Sequence, residues 1–242
     1  MDMLSTNILK AGALALTLVL AGCGEDNGNG GSAGIGDRDF ADFGREGDFI
    51  AGDMDAPVSI IEFASVTCSH CASFHVYTYP SLKSEMIDTG LVRYTMRALP
   101  TPPMTMARLG FMTASCVGEE RYYAFIDALM RTQNAWAFNP DAATRRENLS
   151  QLARLAGLTD EEFEACTQNQ EALDLVNAQE AEGQELGVTS TPTFFINGEM
   201  INGAMDWDSF EALIIPHLPA ELRPEPEVEA EGDPEAPVDP EG

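Results

Sequence analysis

Two cysteines three positions apart, Cys68 and Cys71, are the residues of this chain best suited to chemistry. They enclose Ser69 and His70, and they stand where an apolar, β-branched run over Val58–Phe63 gives way to a helical pattern. On the first turn of a helix, two such thiols can close a disulfide, and the unpaired backbone N–H groups there favour the thiolate of Cys68. His70 lies between the sulfurs and can add a charge-assisted hydrogen bond. The tetrapeptide therefore predicts a redox-active dithiol.

A metal site is the alternative for the same cysteines. His75 extends the motif to C-x-x-C-x-x-x-H, a spacing that metal sites use. A structural zinc ion takes four ligands, however, and neither a second C-x-x-C nor a histidine cluster follows; His217 is far along the chain. We therefore expect no metal, and we expect His75 to be an ordinary surface or partly buried side chain.

The flanking sequence carries a family resemblance. The run Phe49–Cys71, together with Thr191-Pro192-Thr193 far downstream, resembles the DsbA-like thiol-disulfide oxidoreductases of the thioredoxin superfamily. The similarity extends from Phe49 to about His217 and implies an α/β, thioredoxin-like fold with a helical insertion and no cofactor. Ser69 is a departure, since the best-known members carry proline before the histidine. In the family, that dipeptide tunes the redox potential.

The resemblance also implies roles for residues outside the tetrapeptide. Thr191-Pro192 should lie beside the disulfide with a cis peptide bond, and the exposed backbone of Thr191 should pair with an extended substrate. Glu62 occupies the family position of a buried acid beneath the disulfide. We expect it to transfer a proton to or from Cys71; the alternative is an edge position with the carboxylate in solvent.

The predicted strands agree with such a fold. The nearly continuous apolar run Val58–Ala64 is typical of a central strand covered on both faces. Residues 45–51 read as a short edge strand, and residues 91–97 as a strand parallel to the central one. Asn197-Gly198 is a strong signal for a two-residue hairpin turn, and Pro80 predicts a break in the active-site helix.

A helical block fills the interval between the second and third core strands. It spans about residues 104–186, and Thr159 with Glu162 three positions later has the form of a capping box. One apolar face within the block consists of Leu149, Leu152 and Leu155. This block is the insertion that the family resemblance implies.

The N-terminal residues indicate export. After Lys10, an apolar segment at positions 11–20 is too short for a comfortable membrane span and suits a signal peptide. Leu20-Ala21-Gly22-Cys23 then resembles the lipobox of bacterial lipoproteins, in which the cysteine is acylated. An ordinary cleaved signal peptide is the alternative. We expect attachment to a membrane by a lipid anchor on Cys23 alone.

These features divide the chain into four predicted parts. They are a lipoprotein-type signal peptide at 1–22, a flexible tether at 23–44, the thioredoxin-like domain at 45–218 and a disordered acidic tail at 219–242. The formal net charge of −27 argues against nucleic acid as a partner.

The number of cysteines leads to one more expectation. The chain has five cysteines. With Cys23 acylated and Cys68 and Cys71 redox-active, Cys116 and Cys166 remain, and we expect them to form a structural disulfide between two helices of the insertion. Some DsbA-like proteins carry a second disulfide in this region. The alternative is two buried free thiols.

The sequence thus predicts an exported protein thiol oxidase of the periplasm or cell envelope. In this hypothesis the dithiol introduces disulfides into reduced, unfolded or partly folded exported proteins, and a membrane redox partner reoxidises it. A disulfide isomerase or reductase is the runner-up. The rivals from other classes are a periplasmic copper- or zinc-binding protein that uses Cys68, Cys71 and a histidine, and a non-catalytic anchored binding module.

Overall fold

The computed structural model describes residues 43–224. The predicted signal peptide, Cys23 and most of the predicted tether and acidic tail lie outside these residues. The strands are β1 Ile50–Ala51, β2 Val58–Ala64, β3 Val92–Ala98, β4 Thr193–Ile196 and β5 Glu199–Asn202. The α-helices are α1 Ser69–Tyr77, α2 Tyr79–Ser81, α3 Met104–Cys116, α4 Glu119–Arg131, α5 Gln133–Trp136, α6 Ala142–Leu155, α7 Asp160–Thr167, α8 Gln170–Glu185 and α9 Trp207–Ile214. Among residues 43–224, no helix is long and apolar enough to cross a membrane.

The five strands form one sheet with the order β1-β3-β2-β4-β5. Strand β2 runs parallel to β3 and antiparallel to β4, so that Glu62 lies opposite Met96 on one side and Phe194 on the other. Every residue of β2 except Ser59 is buried, as expected for a strand covered on both faces. The predicted bounds of this central strand are confirmed, and β3 lies one residue later than predicted.

The N-terminal edge strand is shorter than predicted. Instead of residues 45–51, only the two residues of β1 pair with β3. The Asp48 carboxylate accepts hydrogen bonds from the backbone N–H groups of Gly44 and Arg45 at 3.3 and 3.2 Å, and the Asp48 N–H donates to the Arg45 carbonyl at 2.9 Å. These local bonds hold the backbone in a turn, because an aspartate side chain competes with strand pairing for nearby N–H groups.

The hairpin between β4 and β5 has the predicted two-residue turn. Asn197 and Gly198 both adopt positive φ angles, 44° and 87°, as a type I′ turn requires. The Asn197 side-chain oxygen accepts hydrogen bonds from the backbone N–H and the hydroxyl of Ser59 at 2.8 and 3.1 Å. The turn is therefore attached to the start of the central strand.

The helix after β2 is interrupted near Pro80, as predicted. Helix α1 ends at Tyr77, and Pro80 is the second residue of the short helix α2. A π-helical turn over Leu82–Ile87 completes this segment. Proline lacks the N–H that a continuous helix would use, so the break leaves α1 as a separate element with its first turn at the dithiol.

The insertion between β3 and β4 comprises helices α3 to α8, which begin at Met104 and end at Glu185. The capping box is present: Thr159 Oγ1 accepts from the Glu162 N–H at 3.2 Å, and the Glu162 carboxylate accepts from the Thr159 N–H at 2.7 Å. The predicted apolar face of α6 is only partly buried. Leu149 is buried, whereas Leu155 is 86% exposed, because α6 ends there and the chain turns towards α7.

The predicted disulfide joins Cys116, the last residue of α3, to Cys166 on α7. The two Cα atoms are 6.2 Å apart, within the range that a disulfide spans. The alternative of two free thiols is thereby excluded. The bond connects two helices of the insertion across 50 positions of sequence.

A buried ion-pair group connects the insertion to the sheet. Arg97 on β3 donates to both carboxylate oxygens of Asp48 at 3.0 and 2.7 Å, and to Glu182 on α8 at 2.8 Å. The Arg97 and Asp48 side chains are each 2% exposed. Nearby, the Gln179 side-chain oxygen accepts from the Ala98 N–H at 2.9 Å. Charges this deeply buried persist because they are paired and hydrogen-bonded.

The start of the predicted disordered tail is folded. A 3-10 turn over Ala220–Leu222 follows Pro219. Arg223 donates to the backbone carbonyls of Leu218 and Pro216, each at 2.9 Å. These bonds attach the first tail residues to the end of the closing helical segment, an interaction that the acidic composition of the tail does not reveal.

Candidate active site

Cys68 occupies the N-cap of helix α1. Its backbone is extended, with φ −84° and ψ 126°, and its sulfur accepts a hydrogen bond from the Cys71 N–H at 3.4 Å. The N–H groups of a first helical turn have no partner within the helix, so a cap acceptor satisfies one of them. The fold thereby holds the Cys68 sulfur at the positive end of the α1 dipole.

Hydrogen bonds between two loops support this turn. Ser65 and Thr67, which lie between β2 and Cys68, have hydroxyl oxygens 2.9 Å apart. The Thr67 hydroxyl donates to the Thr101 carbonyl at 2.8 Å, and the Thr101 N–H donates to the Ser65 hydroxyl at 3.1 Å. Thr101 precedes a second cis peptide bond, Pro102–Pro103. Sequence analysis missed this contact, since hydroxyl bonds between separate loops leave no spacing pattern.

The surroundings of Cys68 lower the pKa of its thiol from 9.0 to about 5. The largest cause is a hydrogen bond with the Cys71 side chain. A side-chain hydrogen bond with Thr191 and the backbone N–H groups of Cys71 and His70 also lower it, while burial opposes them. At neutral pH, Cys68 is therefore predominantly in the thiolate form, which is the nucleophilic form of cysteine.

Cys71 has the opposite character. Its side chain is fully buried, and burial is the largest cause that raises the pKa of its thiol. The hydrogen bond with Cys68 and the negative charge of Glu62 raise this pKa further. The two cysteines are both reduced here. The motif therefore combines a partly exposed thiolate with a buried, protonated thiol.

Thr191 and Pro192 lie beside Cys68, joined by the predicted cis peptide bond. The Cys68 sulfur lies 3.4 Å from the Thr191 carbonyl oxygen, which accepts a hydrogen bond when Cys68 is protonated. Pro192 is buried, and its carbonyl accepts from the Gly203 N–H at 2.9 Å. Thr191 itself is partly exposed beside the sulfur.

Glu62 is buried in the middle of β2, which excludes the alternative of an edge position in solvent. Its Oε2 atom accepts a hydrogen bond from the Tyr94 hydroxyl, and the His75 Nε2 atom lies 3.1 Å from the same oxygen. Its Oε1 atom has no hydrogen-bond partner among the residues that the structure describes. Since the charge of Glu62 raises the pKa of Cys71, this carboxylate acts on the buried thiol.

His75 is buried, so the prediction of a surface or partly buried side chain is wrong. It follows Cys71 by four positions and therefore lies on the same face of α1. Its ring packs against Tyr79, with ring centroids 4.9 Å apart. A polar ring is stable at this position because Glu62 provides its hydrogen-bond partner. The four-residue spacing from Cys71 was the available signal for this burial.

His70 and Ser69 are exposed at the surface of the motif. Within residues 43–224 the His70 ring makes no hydrogen bond to Cys68; only the His70 backbone N–H lowers the Cys68 pKa. The predicted bond from the imidazole is therefore not present in this structure. The Ser69 carbonyl accepts from the Ser73 hydroxyl at 3.1 Å, a bond within α1.

One residue of the insertion reaches the dithiol turn, and sequence analysis missed it. Gln133, the first residue of α5, donates from its side-chain amide to the carbonyls of Val66 at 2.9 Å and Cys68 at 3.0 Å. The side chain is buried. No motif identifies such a glutamine, because the fold alone brings these carbonyls to it.

The histidines do not complete a metal site. In the described part of the chain, no group of three or more His, Cys, Asp or Glu side chains is arranged to hold a metal ion. His75 is bonded to Glu62, and the His217 Nε2 atom lies 3.6 Å from Glu199. Within residues 43–224, neither histidine forms such a group with the two sulfurs.

Known proteins are similar to this chain in sequence. A family model with the description Thioredoxin matches residues 45–215. A Rickettsia bellii protein named as a protein-disulfide oxidoreductase is 28% identical over 155 residues, which cover 63% of this chain and 58% of that protein. The chain thus spans a little over half the length of the curated relatives it matches.

Solved structures share the fold. The crystal structure of alpha-DsbA1 from Wolbachia pipientis is 28% identical, with a TM-score of 0.64 and coverage of 69% of this chain and 89% of that chain. BdbD from Bacillus subtilis has the same fold at 20% identity, with a TM-score of 0.63 over 71% of this chain and 93% of that chain. The predicted thioredoxin-like fold with a helical insertion is confirmed. The chain therefore belongs to the thioredoxin family, and it is similar to the DsbA-like thiol-disulfide oxidoreductases.

Proposed function

We propose that this protein is a dithiol oxidase that introduces disulfides into exported proteins through Cys68 and Cys71. The observation that carries the proposal is the contrast between the two sulfurs. The Cys68 pKa is lowered to about 5, whereas burial raises the pKa of Cys71. A low thiol pKa makes Cys68 a good leaving group and stabilises the reduced pair relative to the disulfide. The disulfide is accordingly oxidising.

The proposed reaction transfers two electrons from the substrate to the protein. A substrate thiolate attacks the Cys68 sulfur of the oxidised pair, the Cys68–Cys71 bond breaks, and Cys71 leaves with the electron pair. Cys68 is now joined to the substrate in a mixed disulfide, and Cys71 takes up a proton. A second substrate thiolate attacks the substrate sulfur of that bond, and Cys68 leaves as a thiolate. The substrate has gained a disulfide, and the protein holds the reduced pair.

Glu62 is proposed to supply and remove the Cys71 proton. Cys71 is released in a buried site, where its charged form is unfavourable. The Glu62 carboxylate is buried nearby and its charge acts on that thiol. Its Oε1 atom carries no hydrogen bond among residues 43–224, which leaves an acceptor available for a proton.

Thr191 is proposed to bind the substrate backbone. Thr191 is a partly exposed residue next to the Cys68 sulfur, which lies 3.4 Å from the Thr191 carbonyl oxygen. An extended peptide that pairs with this backbone would bring its own cysteine towards Cys68. Binding through the main chain accepts many sequences, as an enzyme that oxidises diverse proteins requires.

The proposed setting is the periplasm or the cell envelope, with the protein attached to a membrane by a lipid on Cys23. This part rests on the signal-peptide pattern before that cysteine. The proposed substrates are reduced, unfolded or partly folded exported proteins. Each cycle leaves the dithiol reduced, so a membrane redox partner that accepts two electrons is required to restore it.

The equilibrium redox potential of the Cys68/Cys71 pair, combined with two activity assays, tests the proposal. We expect a potential less negative than the value of about −270 mV that is typical of thioredoxin. We also expect faster oxidation of reduced ribonuclease than rearrangement of scrambled ribonuclease. Cys68→Ser and Cys71→Ser variants are the controls.

Other outcomes would identify the rival functions. A potential at or below the thioredoxin value would identify a reductase. Preferential rearrangement of the scrambled substrate would identify an isomerase, since isomerases also have potentials less negative than that of thioredoxin. Copper or zinc retained in a fixed ratio after purification, with no activity on either substrate, would identify a metal-binding protein.

A further inference from the structure

We infer that Gln133 is a positioning residue for the dithiol, through which the helical insertion fixes the turn that carries Cys68. The inference goes beyond the proposed function and rests on it in one respect, the role of Cys68 as the reactive thiolate. Gln133 belongs to the insertion, whereas Cys68 follows the central strand of the sheet. The side-chain amide therefore connects two separate parts of the fold at the reactive sulfur.

The geometry matches the two donors of one amide group to two carbonyls. The Gln133 Nε2 atom lies 2.9 Å from the Val66 oxygen and 3.0 Å from the Cys68 oxygen. A primary amide has two N–H groups in one plane, so it can serve both acceptors at once. Gln133 is 8% exposed; its bond to Val66 is buried, and its bond to Cys68 is partly buried.

Gln133 also satisfies a carbonyl that the local backbone leaves unpaired. The Cys68 carbonyl accepts in addition from the Ala72 N–H at 3.0 Å, as the first bond of α1. The Val66 carbonyl has no donor other than Gln133 among the described residues, although Val66 is fully buried. Leaving a buried carbonyl without a donor is unfavourable, so the turn would rearrange if the amide were removed.

The backbone that carries Gln133 is held firmly against this turn. A Cβ atom on Gly110 of α3 would lie 2.8 Å from the Val66 side chain and 3.0 Å from the Trp136 ring. Val66, α3 and α5 therefore approach one another so closely that only glycine fits at position 110. The Trp136 ring is fully buried, and its indole N–H donates to the Leu129 carbonyl at 2.8 Å. Helix α5 thus presents the amide from a fixed position.

The consequence for chemistry is electrostatic. The oxygen ends of the Val66 and Cys68 carbonyls are negative and oppose a thiolate at Cys68. Two N–H donors on these oxygens reduce that opposition, because they neutralise part of the carbonyl charge. The same bonds fix the turn in which the Cys71 N–H lies 3.4 Å from the Cys68 sulfur. Removal of the amide should therefore raise the Cys68 pKa.

Gln133→Met and Gln133→Glu test this inference in the full-length reduced protein. Methionine keeps the shape of the side chain but has no hydrogen-bond donors. An ionised glutamate would place a negatively charged acceptor next to the two carbonyl oxygens. The matched control is Gln179→Met, since Gln179 also joins the insertion to the sheet: its side-chain oxygen accepts from the Ala98 N–H at 2.9 Å. The readouts are the thiolate absorbance during pH titration and the rate of Cys68 alkylation by iodoacetamide.

We expect Gln133→Met to raise the Cys68 pKa by about half a unit, a roughly threefold loss of thiolate below the pKa. Gln133→Glu should raise it further, and Gln179→Met should leave it unchanged. Equal shifts in Gln133→Met and Gln179→Met would overturn the inference, as would no shift in either. If the methionine variant does not fold, Gln133→Asn, whose shorter amide cannot reach both carbonyls, should show the same rise.

The same titration separates this inference from the proposed function. If wild-type protein is alkylated first at Cys71, the proposed role of Cys68 fails. If Cys68 reacts first and the Gln133 variants match wild type, only the positioning role of Gln133 fails.

Discussion

The Nε2 atom of His75 lies 3.1 Å from the Oε2 atom of Glu62, and the two side chains are 1% and 0% exposed. The Tyr94 hydroxyl donates to the same oxygen, so the carboxylate connects α1 to both β2 and β3. Such a buried pair adds little net stability when intact. Removal of one partner is destabilising, because it leaves the other polar group buried without its partner. His75 is four positions from Cys71, which makes this pair part of the support beneath the dithiol.

We predict that His75→Leu lowers the free energy of unfolding by about 3 kcal/mol, because Glu62 loses a buried partner. The double variant Glu62→Gln/His75→Leu should lose less than the sum of the single variants, since each removes the same interaction. Urea denaturation of the oxidised protein measures all three. The control is His217→Leu, whose Glu199 partner is 68% exposed, and which should change stability by less than about 0.5 kcal/mol. Additive losses would contradict the prediction.

The low pKa of Cys68 predicts how the stability of the reduced protein depends on pH. Its folded value of about 5 lies below the unperturbed 9.0, so the unfolded state binds more protons in this interval. The free energy of unfolding should rise with pH between these values and be lost as the pH falls through about 5. Above the unperturbed value the sign reverses, because the raised pKa of Cys71 lets the unfolded state ionise first. Denaturation of reduced wild type and Cys68→Ser measures the effect, and a pH-independent difference between them below the unperturbed value would refute it.

Thr191 and His70 should differ in their effects on the Cys68 pKa. Thr191→Val removes a side-chain hydrogen bond that lowers this pKa, and we expect a rise of up to about one unit. His70→Ala keeps the backbone N–H that acts on Cys68, and its exposed ring acts only through the solvent. We expect a smaller rise, which disappears in about 1 M salt. A large, salt-independent rise in His70→Ala would show that the imidazole bonds directly to the thiolate.

Loss of the insertion disulfide should affect stability and leave the dithiol unchanged. Cys116→Ala/Cys166→Ala opens a loop of 50 positions, which corresponds to about 4 kcal/mol of unfolding free energy in the chain-entropy description. Neither cysteine contributes to the lowered pKa of Cys68. Denaturation of wild type and the double variant, with thiolate titration of each, measures both quantities. A shifted Cys68 pKa in the variant would show that the disulfide communicates with the active site.

Features that depend on a local pattern were predictable from the sequence. The bounds of β2 follow from one apolar run, and the Asn197-Gly198 turn follows from two residues that tolerate positive φ. The N-cap position of Cys68 likewise follows from the junction between that strand and a helical pattern. In each case the residues that determine the structure are adjacent in the chain.

Features that depend on a distant partner were not predictable. The carbonyls that Gln133 binds lie 67 and 65 positions earlier, and no local property marks this glutamine. The spacing from Cys71 indicates the face of α1 on which His75 lies, but only the fold shows that Glu62 is there to bind its ring. The edge strand was predicted too long because Asp48 competes for local N–H groups, an effect that apolar alternation does not reveal.

The ion-pair group at Arg97 has a mechanical consequence. Tension on the chain ahead of Phe43 would first reach the buried Phe43 ring and Arg45, which pairs with Glu182 at 2.7 Å. It would next reach Asp48, whose carboxylate Arg97 holds through two hydrogen bonds. Arg97 lies on β3 and also binds Glu182 on α8, so the load would pass into an inner strand and a long helix. The two-residue strand β1 would bear little of it. A domain pulled by its N-terminal segment would therefore be held at its interior, and helix α1 with the dithiol would lie off the path of the force.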